Sequence, residues 1–299
     1  MQQEDDNRAD NLILAIACAI AAHFMFGIMG LGAKYLSSEY HAIEIAFYRN
    51  VVAIGPMLLI MMLQKRAGQF KTKKPLLLLA RCLTGVVGLI VTFEALKHLP
   101  MSYAVVLFFT STIITPIIAF FVLRENVGIH RWSAVIIGMC GVFIISQPSG
   151  EISQFGLFMA LAAALSHALI YIMLRGLKSE SPITVTFYFV LAGIIGPAIF
   201  LPWVAEVPTT QDFWIFVVVG LSGAFAQVLL ATAYKNGQAS LVTPFAYSAL
   251  IWTVLLDIFF WGYDLDFLSV SIGATLIMAA QLYIIHREYV GKNKRLENE

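Results

Sequence analysis

Residues 95–126 read ALKHLPMSYAVVLFFTSTIITPIIAFFVLREN, and the rest of the chain can be compared with this stretch. Lys97 lies near its start, and Arg124 and Glu125 lie at its end. The intervening residues carry no formal charge except for one histidine. They include about 20 apolar or weakly polar positions, enough for a helix rising 1.5 Å per residue to cross the roughly 30 Å hydrocarbon layer of a bilayer. The stretch therefore predicts a membrane-spanning helix with a Thr-Pro break at residues 115–116.

A similar stretch occurs at residues 233–264, which read AYKNGQASLVTPFAYSALIWTVLLDIFFWGYD. At a constant offset the same residue types recur in the two stretches: Ala95 and Ala233, Lys97 and Lys235, Ser102 and Ser240, Ile113 and Ile251, Thr115 and Thr253, and Phe121 and Phe259. These matches are spread along a whole span. They indicate that the chain consists of two copies of one unit.

The composition is that of a protein mostly immersed in lipid. Of 299 residues, 60% are hydrophobic and 12% are charged, whereas a soluble domain averages about 25% charged residues. The net charge of +1 argues against a nucleic-acid partner. Cys18, Cys82 and Cys140 all lie in apolar runs, and their odd number predicts no disulfide framework. No Cys/His spacing predicts a metal site.

Ten apolar stretches are long enough to cross a bilayer, with approximate bounds 12–34, 43–63, 75–96, 100–123, 131–148, 154–175, 183–204, 211–233, 238–261 and 266–286. Each is expected to be a helix, because a helix satisfies its own backbone hydrogen bonds in hydrocarbon. The predicted fold is an all-α membrane protein with ten transmembrane helices. Its parts are a cytoplasmic tail at 1–11, a first five-helix repeat at 12–148, a second at 154–286, and a basic cytoplasmic tail at 287–299.

Lysine and arginine residues predict the orientation through the positive-inside rule. If both termini are cytoplasmic, all Lys and Arg residues outside the spans lie on the cytoplasmic side except Lys34 and Lys97. This pattern predicts a multi-pass protein of a bacterial-type inner membrane. Each half holds an odd number of spans, so the second half must enter the membrane upside down relative to the first. Two inverted halves around a site near the midplane are typical of secondary transporters.

Two histidines occupy the same repeat position in the first and sixth spans. His23 aligns with His167 at the offset that also aligns Lys34 with Lys178. An ionisable side chain deep in a bilayer is costly unless it faces protein or water, and histidine titrates near neutral pH. One interpretation is a substrate or proton site at the midplane. The other is a pair of neutral histidines hydrogen-bonded inside the bundle.

Two arginines lie inside apolar spans, Arg49 in the second and Arg81 in the third. A buried guanidinium can bind a carboxylate or phosphate through its planar fork of donors. The structural alternative for Arg49 is an ion pair with Glu44 or Glu94. The alternative for Arg81 is snorkelling to the cytoplasmic headgroups.

A polar and aromatic face is predicted on the ninth span, where Tyr247 and Trp252 follow Ser240 and Pro244. Aromatic faces suit planar or cationic ligands, whereas the alternative role of such a face is helix–helix contact. Together with the histidines and arginines, the candidate substrate-binding residues are His23, Arg49, Arg81, Tyr103, Thr110, His167, Tyr188, Gln227, Tyr247 and Trp252.

Two carboxylates join His23 and His167 as candidates for proton coupling. Glu94 lies near the end of the third span, and Asp257 lies well inside the ninth. Asp257 is interpreted either as a proton carrier or as a group close enough to the outer surface to be solvated.

These features together resemble the EamA-type members of the drug/metabolite transporter superfamily, and the resemblance covers nearly the whole chain. It rests on the two five-span repeats, the His-to-Lys pattern of the first and sixth spans, the Phe-Tyr-Arg start of the second helix at 47–49, and the stretch at 95–126 followed by GIHRWSAVIIGMCGVFII at 128–145.

The resemblance implies an inverted-repeat bundle with a central cavity lined mainly by helices one to four and six to nine, with helices five and ten at the periphery. It implies no organic cofactor. It also implies a substrate among amino acids and their derivatives, S-adenosylmethionine, vitamins, nucleotide sugars or sugar phosphates. The chain departs from the family pattern at 262–264, where Gly-Tyr-Asp replaces a frequent Gly-Glu. Its first helix lacks a carboxylate, so proton coupling would fall to His23 or Asp257.

The sequence therefore predicts a secondary transporter of a small polar metabolite, with an amino acid or an amino-acid-like compound such as S-adenosylmethionine favoured. The expected partners are this small molecule and membrane lipid, while proton coupling and a homodimer are left open. The alternatives are a carrier of vitamins, nucleotide sugars or other organic ions, a membrane-embedded enzyme, and an assembly protein. An enzyme would need a clustered acid/base or metal set, which the sequence lacks. An assembly protein would leave the buried arginines and histidines unexplained.

Overall fold

The computed structural model describes residues 12–64, 71–111, 153–177, 180–236 and 248–262, together with scattered positions within 114–144 and 268–286. Over this part of the chain every regular element is a helix. The predicted tails at 1–11 and 287–299 lie outside the described residues. Most of the predicted fifth span, parts of the fourth, ninth and tenth, and the Thr-Pro break at 115–116 also lie outside them.

Eight helices carry the fold in the described part of the chain: α1 Leu12–Leu36, α2 Ala42–Gln64, α3 Pro75–His98, α4 Met101–Phe108, α5 Gln154–Gly176, α6 Pro182–Ala198, α7 Thr210–Asn236 and α8 Ser248–Leu256. Four segments are long and apolar enough to cross a membrane: Ile13–Leu36, Ala42–Leu63, Pro75–His98 and Thr210–Leu230. Three further helical segments are apolar but shorter: Gln154–Ile170, Ile183–Ala198 and Ser248–Trp261.

Proline residues explain where several helices begin or end. Pro75 begins α3, where its missing N–H would have no helical partner in any case. Pro100 separates α3 from α4 and makes the connection between them a tight turn. The prediction of one continuous span over 183–204 is wrong, because α6 ends at Ala198 and a separate single turn follows at Leu201–Val204. Pro202 lacks the N–H that a continuous helix would need there.

The last described helix ends in an unusual way. A π-helical turn, Asp257–Trp261, follows α8 directly. Gly262 then adopts a left-handed conformation with φ 57°, which glycine reaches without steric cost and which commonly ends a helix. The π turn brings Asp257 to the end of the bundle where α3 connects to α4.

The helices pack in pairs that cross between the two halves of the chain. α1 packs along α7, and α3 packs along α5. α1 also contacts α8, and α5 contacts α4. In the same manner α2 contacts α7, α6 contacts α3, and α2 contacts α6 directly. The bundle is therefore held together mainly by contacts between halves.

Close approach of these helices depends on small residues. A Cβ added to Gly88 of α3 would lie 2.9 Å from the Cβ of Ser166 in α5. A Cβ added to Gly220 of α7 would overlap the side chain of Val52 in α2. Gly88 and Gly220 therefore permit close contact between these helices.

Two buried apolar clusters fill opposite ends of the described bundle. One includes Leu36, Phe93 and Met101, around the end of α1 and the α3–α4 turn. The other includes Leu78 and Val185, around the starts of α3 and α6. The candidate site described next begins on α2 between these two clusters.

Candidate functional site

Two arginine side chains meet at one phenylalanine ring inside the bundle. The guanidinium carbon of Arg81 lies 4.4 Å from the centre of the Phe189 ring, and that of Arg49 lies 5.9 Å from the same centre. The two cations are therefore no farther apart than the sum of these distances. Cation–π attraction to the ring stabilises each of them. The sequence identified both arginines but not Phe189.

The positions of the two arginines along their helices place the cluster near the middle of the bundle. Arg49 lies about 10 Å along α2 from its first residue, at 1.5 Å per residue, and Arg81 lies about 9 Å along α3 from its first residue. α2 and α3 are consecutive, so α3 begins at the end of the bundle where α2 finishes. The two side chains thus approach the middle from opposite ends.

Arg49 is held in place by its neighbours on three helices. Its Nη1 donates to Oδ1 of Asn50 at 3.0 Å, and the Nδ2 of Asn50 donates to the carbonyl of Ala46 at 2.7 Å. Gly193 of α6 leaves the space that Asn50 occupies, because an added Cβ would overlap the amide. A Cβ on Gly223 of α7 would lie 3.0 Å from Nε of Arg49, so this glycine leaves room for the guanidinium.

Several N–H groups of the two arginines have no acceptor within the described residues. Nε of Arg49, and Nε and Nη1 of Arg81, are buried without a hydrogen-bond partner. A buried polar donor left unpaired costs about 1–3 kcal/mol, and more when it is charged. Since Arg49 is only 3% exposed, bulk water does not solvate its charge. These donors could bind an acceptor that reaches the middle of the bundle.

The alternative ion pairs for Arg49 do not form. Glu44 accepts a backbone N–H at the start of its own helix at 3.0 Å and the backbone N–H of Glu206 at 2.8 Å. Glu94 pairs with His98 at 3.1 Å near the end of α3. Within the described residues, the two arginines make no ion pair with a carboxylate within 4.0 Å. The interpretation of Arg49 as a structural latch is therefore wrong.

The snorkelling alternative for Arg81 is also wrong. Its guanidinium contacts Phe189, and an added Cβ on Gly85 would lie 3.2 Å from its Nη1. Two of its nitrogen atoms are buried, so the side chain points into the bundle and not toward the headgroups.

The two histidines differ in their surroundings. Nδ1 of His23 donates to the carbonyl of Ala19, one turn earlier in α1, at 2.7 Å. The His167 ring packs edge-on against Phe108 with centroids 5.7 Å apart. His23 thus matches the alternative of a hydrogen-bonded histidine. For His167, the contact seen among the described residues is the one with the Phe108 ring.

The remaining predicted site residues are spread over several helices. Trp252 of α8 packs edge-on against Phe24 of α1 at 5.0 Å between centroids, and its Nε1 is buried without an acceptor in the described part of the chain. Oγ1 of Thr110 is likewise buried and unpaired there. Tyr103 is buried, and the half-buried Tyr188 contacts Phe187. Gln227 is half-buried on α7, and Tyr247 lies outside the described residues.

Asp257 caps the start of α4. Its carboxylate is fully buried and accepts the backbone N–H of Met101 at 2.9 Å and that of Ser102 at 2.7 Å. Two such bonds to a charged acceptor at a helix N-terminus are strong, because the helix dipole favours the negative charge. The interpretation of Asp257 as a solvated group is wrong.

Lys34 caps the other side of the same turn. Its Nζ donates to the carbonyl of Leu96 at 2.9 Å and to that of Leu99, and it lies 5.6 Å from the centre of the Trp261 ring. It also interacts electrostatically with Asp257. The first and ninth predicted spans are therefore joined through the α3–α4 turn, a role that sequence reasoning missed.

A second polar contact closes the same end of the bundle. Tyr40, after α1, donates its hydroxyl to Oδ2 of Asp212 at the start of α7, at 3.0 Å. Thr209 donates its N–H to the Tyr40 hydroxyl at 3.2 Å and its own hydroxyl to Asp212 at 2.5 Å. We call the contacts of Lys34, Tyr40, Glu44, Asp212 and Asp257 the end clasp.

Comparison with known proteins gives the same architecture. The sequence matches the model of the EamA-like transporter family twice, over residues 13–147 and 154–285. An S-adenosylmethionine uptake transporter of Rickettsia bellii (strain RML369-C) is 28% identical over 266 residues, covering 88% of this chain and 90% of that protein. A riboflavin transporter of Rhizobium johnstonii is 33% identical over 230 residues, covering 75% of each. A solved crystal structure superposes with a TM-score of 0.64 at 16% identity, covering 90% of this chain and 96% of that one, which shows a shared fold.

Proposed function

Because this chain belongs to the EamA-like transporter family, we propose that it is a secondary transporter that works by alternating access between two inverted five-helix repeats. Membership makes it a multi-pass membrane transporter of a small molecule and not an enzyme. The membrane-enzyme alternative is therefore set aside.

The observation that carries the proposal is the pairing of helices across the two halves. If the repeats are exchanged, α1 takes the place of α5, α2 of α6, α3 of α7, and α4 of α8. The α1–α7 contact then becomes the α5–α3 contact, α1–α8 becomes α5–α4, and α2–α7 becomes α6–α3. Each of these pairs is packed. This is the pattern expected of two similar halves related by a twofold axis in the membrane plane.

The position of the arginine cluster supports a site at the repeat interface. The α2–α6 contact maps onto itself when the halves exchange, so a twofold axis would pass near it. Arg49 lies on α2, Phe189 lies on α6, and Arg81 lies on α3. Transporters of this type bind their substrates near the midplane between the repeats.

The end clasp supports the proposal that this conformation is closed at one end of the bundle, as one of the two states of a transport cycle requires. Asp257 and Glu44 are fully buried, and they join segments of the two halves at one end of the bundle. At the other end, the links between the halves are exposed: Lys73 N–H to Glu180 at 2.7 Å and Lys74 Nζ to the Gly176 carbonyl at 2.6 Å. Exposed polar contacts exchange readily with water, so the exposed end opens at lower cost.

With the termini in the cytoplasm of a bacterial-type inner membrane, the clasp lies on the outer side and this conformation is closed to the outside. The division into repeats at 12–148 and 154–286, with tails at 1–11 and 287–299, is part of the same proposal. One chain supplies both halves of the cycle, so a homodimer is not required for it.

An amino acid or an amino-acid-like compound, such as S-adenosylmethionine, is the proposed substrate class. The name of the Rickettsia bellii relative supports it, and so do two guanidinium groups that suit a carboxylate. Vitamins, nucleotide sugars and other organic ions form the alternative class, and the name of the Rhizobium relative supports it. His167 is the proposed proton carrier if transport is coupled, because Asp257 is engaged as a helix cap and His23 in a hydrogen bond.

Counterflow in proteoliposomes tests the transport function. Vesicles holding the full chain are preloaded with one unlabelled compound, and entry of the same labelled compound is followed without an ion gradient. The panel covers amino acids, S-adenosylmethionine, vitamins, nucleotide sugars and phosphorylated sugars. A carrier predicts transient accumulation of the labelled compound for one class, because the binding site carries unlabelled compound out of the vesicle and returns with labelled compound. Entry that never exceeds equilibration for any compound would contradict the proposal.

A further inference from the structure

We propose that Arg49 and Arg81 together bind an oxyanion group of the substrate, a carboxylate or a phosphoryl group, beside Phe189. This inference rests on the proposed transport function and adds the chemical class that the site selects. It assigns recognition to the charged end of the substrate, whatever the rest of the molecule is.

The charge of the two guanidinium groups is uncompensated in the described part of the chain. Within the described residues, neither guanidinium has a carboxylate within 4.0 Å, and the carboxylates of Glu44 and Glu94 are engaged elsewhere. Two like charges near one ring disfavour each other, and burial removes the solvation that would offset this. A bound anion would neutralise charge at the point where the structure concentrates it.

Three nitrogen atoms of the two arginines offer hydrogen-bond donors that are unpaired among the described residues. Nε of Arg49 and both Nε and Nη1 of Arg81 are buried without acceptors in the part of the chain that the structure describes. An oxyanion brings negative charge and several lone pairs on two or three oxygens, so it can accept N–H groups from both guanidinium groups, whereas a neutral hydroxyl offers one uncharged oxygen and a cation offers no acceptor. Arginine is also the residue that binds carboxylates and phosphates with paired, parallel hydrogen bonds.

The two guanidinium groups are held in position by neighbouring residues before a ligand binds. Asn50 orients Arg49 through a 3.0 Å hydrogen bond, and Asn50 is itself held by the Ala46 carbonyl. Gly85 and Gly223 leave room for the two guanidinium groups where a Cβ would lie 3.2 and 3.0 Å from their nitrogens. Side chains already fixed before binding lose little conformational entropy when the ligand arrives.

One consequence concerns selectivity among the candidate substrates. A compound with an amino group and no oxyanion would bring a third positive charge to the two guanidinium groups and should be rejected. A zwitterion such as S-adenosylmethionine would be accepted through its carboxylate. Compounds with two acidic groups should compete best.

The test is thermal stabilisation of the purified full chain by pairs of compounds that share a carbon skeleton and differ in charge. Succinate and glucose 6-phosphate are compared with their uncharged partners succinamide and glucose. A ligand that binds only the folded state raises the unfolding midpoint, and at a given concentration a tighter ligand raises it more. We expect at least one oxyanion to stabilise the chain when its uncharged partner does not, and the carboxylate and phosphate arms identify which group is preferred.

Substitutions then assign the effect to the cluster. Arg49→Gln and Arg81→Gln should each reduce the affinity for the stabilising oxyanion at least tenfold. Lys97→Gln, which removes an exposed lysine at the end of α3, should leave that affinity unchanged. Arg49→Lys and Arg81→Lys retain the positive charge but lack the planar fork of guanidinium donors, so they should also weaken oxyanion binding. They replace the glutamine variants if those do not fold. The proposal is overturned if no oxyanion stabilises the chain more than its partner, or if the arginine variants bind as the wild type does.

Counterflow separates this proposal from the transport function. If a compound without an oxyanion shows counterflow, and both arginine variants show the same counterflow as the wild type, the transport function is supported and the oxyanion site is overturned. If an oxyanion stabilises the chain through both arginines but shows no counterflow, the site is supported and the result counts against the transport function.

Discussion

Replacing Asp257 by asparagine should destabilise the protein, because the side chain caps a helix from a distant part of the chain. The carboxylate is fully buried and accepts two backbone N–H groups, those of Met101 and Ser102, at 2.9 and 2.7 Å. Asparagine has nearly the same shape but only one oxygen. Its NH₂ group would face one of the two N–H donors.

The size of the effect follows from these two hydrogen bonds. A hydrogen bond to a charged acceptor contributes about 1.5–3 kcal/mol, and a buried N–H left unpaired costs about 1–3 kcal/mol. The substitution also removes the negative partner of the buried Lys34. Reorientation of the amide recovers part of the loss, so we expect a destabilisation of about 3 kcal/mol, which corresponds to a fall in the unfolding midpoint of about 5–10 °C.

The assay is thermal unfolding of the purified full chain in detergent, with Glu94→Gln as the matched control. Glu94 is also a carboxylate near this end of the bundle, but among the described residues its ion pair is with His98, and both side chains are partly exposed. An ion pair of this kind contributes about 0–1 kcal/mol. We expect the control to unfold within about 3 °C of the wild type.

A wild-type midpoint for Asp257→Asn would refute the capping role. It would also return Asp257 to the proton-carrier interpretation, under which the variant keeps its stability and loses only the pH dependence of transport. The two roles therefore predict opposite results in one pair of measurements.

Two further substitutions test the site itself. Gly223→Ala should lower the transport rate at least tenfold while the chain still folds, because the new Cβ would lie 3.0 Å from Nε of Arg49. Gly55→Ala is the control for uptake assays and should transport normally, because an added Cβ there meets nothing within 4 Å. His167→Gln should flatten the pH dependence of uptake, and an unchanged profile would make this histidine structural.

Much of the fold could be predicted from the sequence because apolar length and charge are local properties. The predicted span 75–96 corresponds to α3 at Pro75–His98, and the span 12–34 corresponds to α1 at Leu12–Leu36. The prediction failed at 183–204, where the hydropathy pattern continues but Pro202 interrupts the helix. Apolarity alone does not report a missing backbone donor.

The site was predictable only in part, because contacts between distant residues leave no local pattern. The latch between Glu44 and Arg49 was wrong because residues five apart lie on different sides of a helix; Glu94 pairs instead with His98, four residues away. Phe189 gave no signal, since one phenylalanine in an apolar span resembles any other.

Asp257 and Asn50 illustrate two kinds of missed role. Asp257 was noticed as a buried acid, but its partners lie more than 150 residues earlier, in a turn that only the folded chain brings near it. Asn50 could have been found, because an amide beside a buried arginine inside an apolar span is itself costly without partners.

Access to the arginine cluster from both sides of the membrane is the most direct test of alternating access. Met29→Cys, in a chain whose Cys18, Cys82 and Cys140 are replaced by alanine, puts one thiol beside the Arg49 guanidinium. A membrane-impermeant thiol reagent is applied to oriented vesicles from one side at a time. Alternating access predicts labelling from either side, and slower labelling when a bound oxyanion covers the cluster. Labelling from one side only, under every substrate condition, would contradict it.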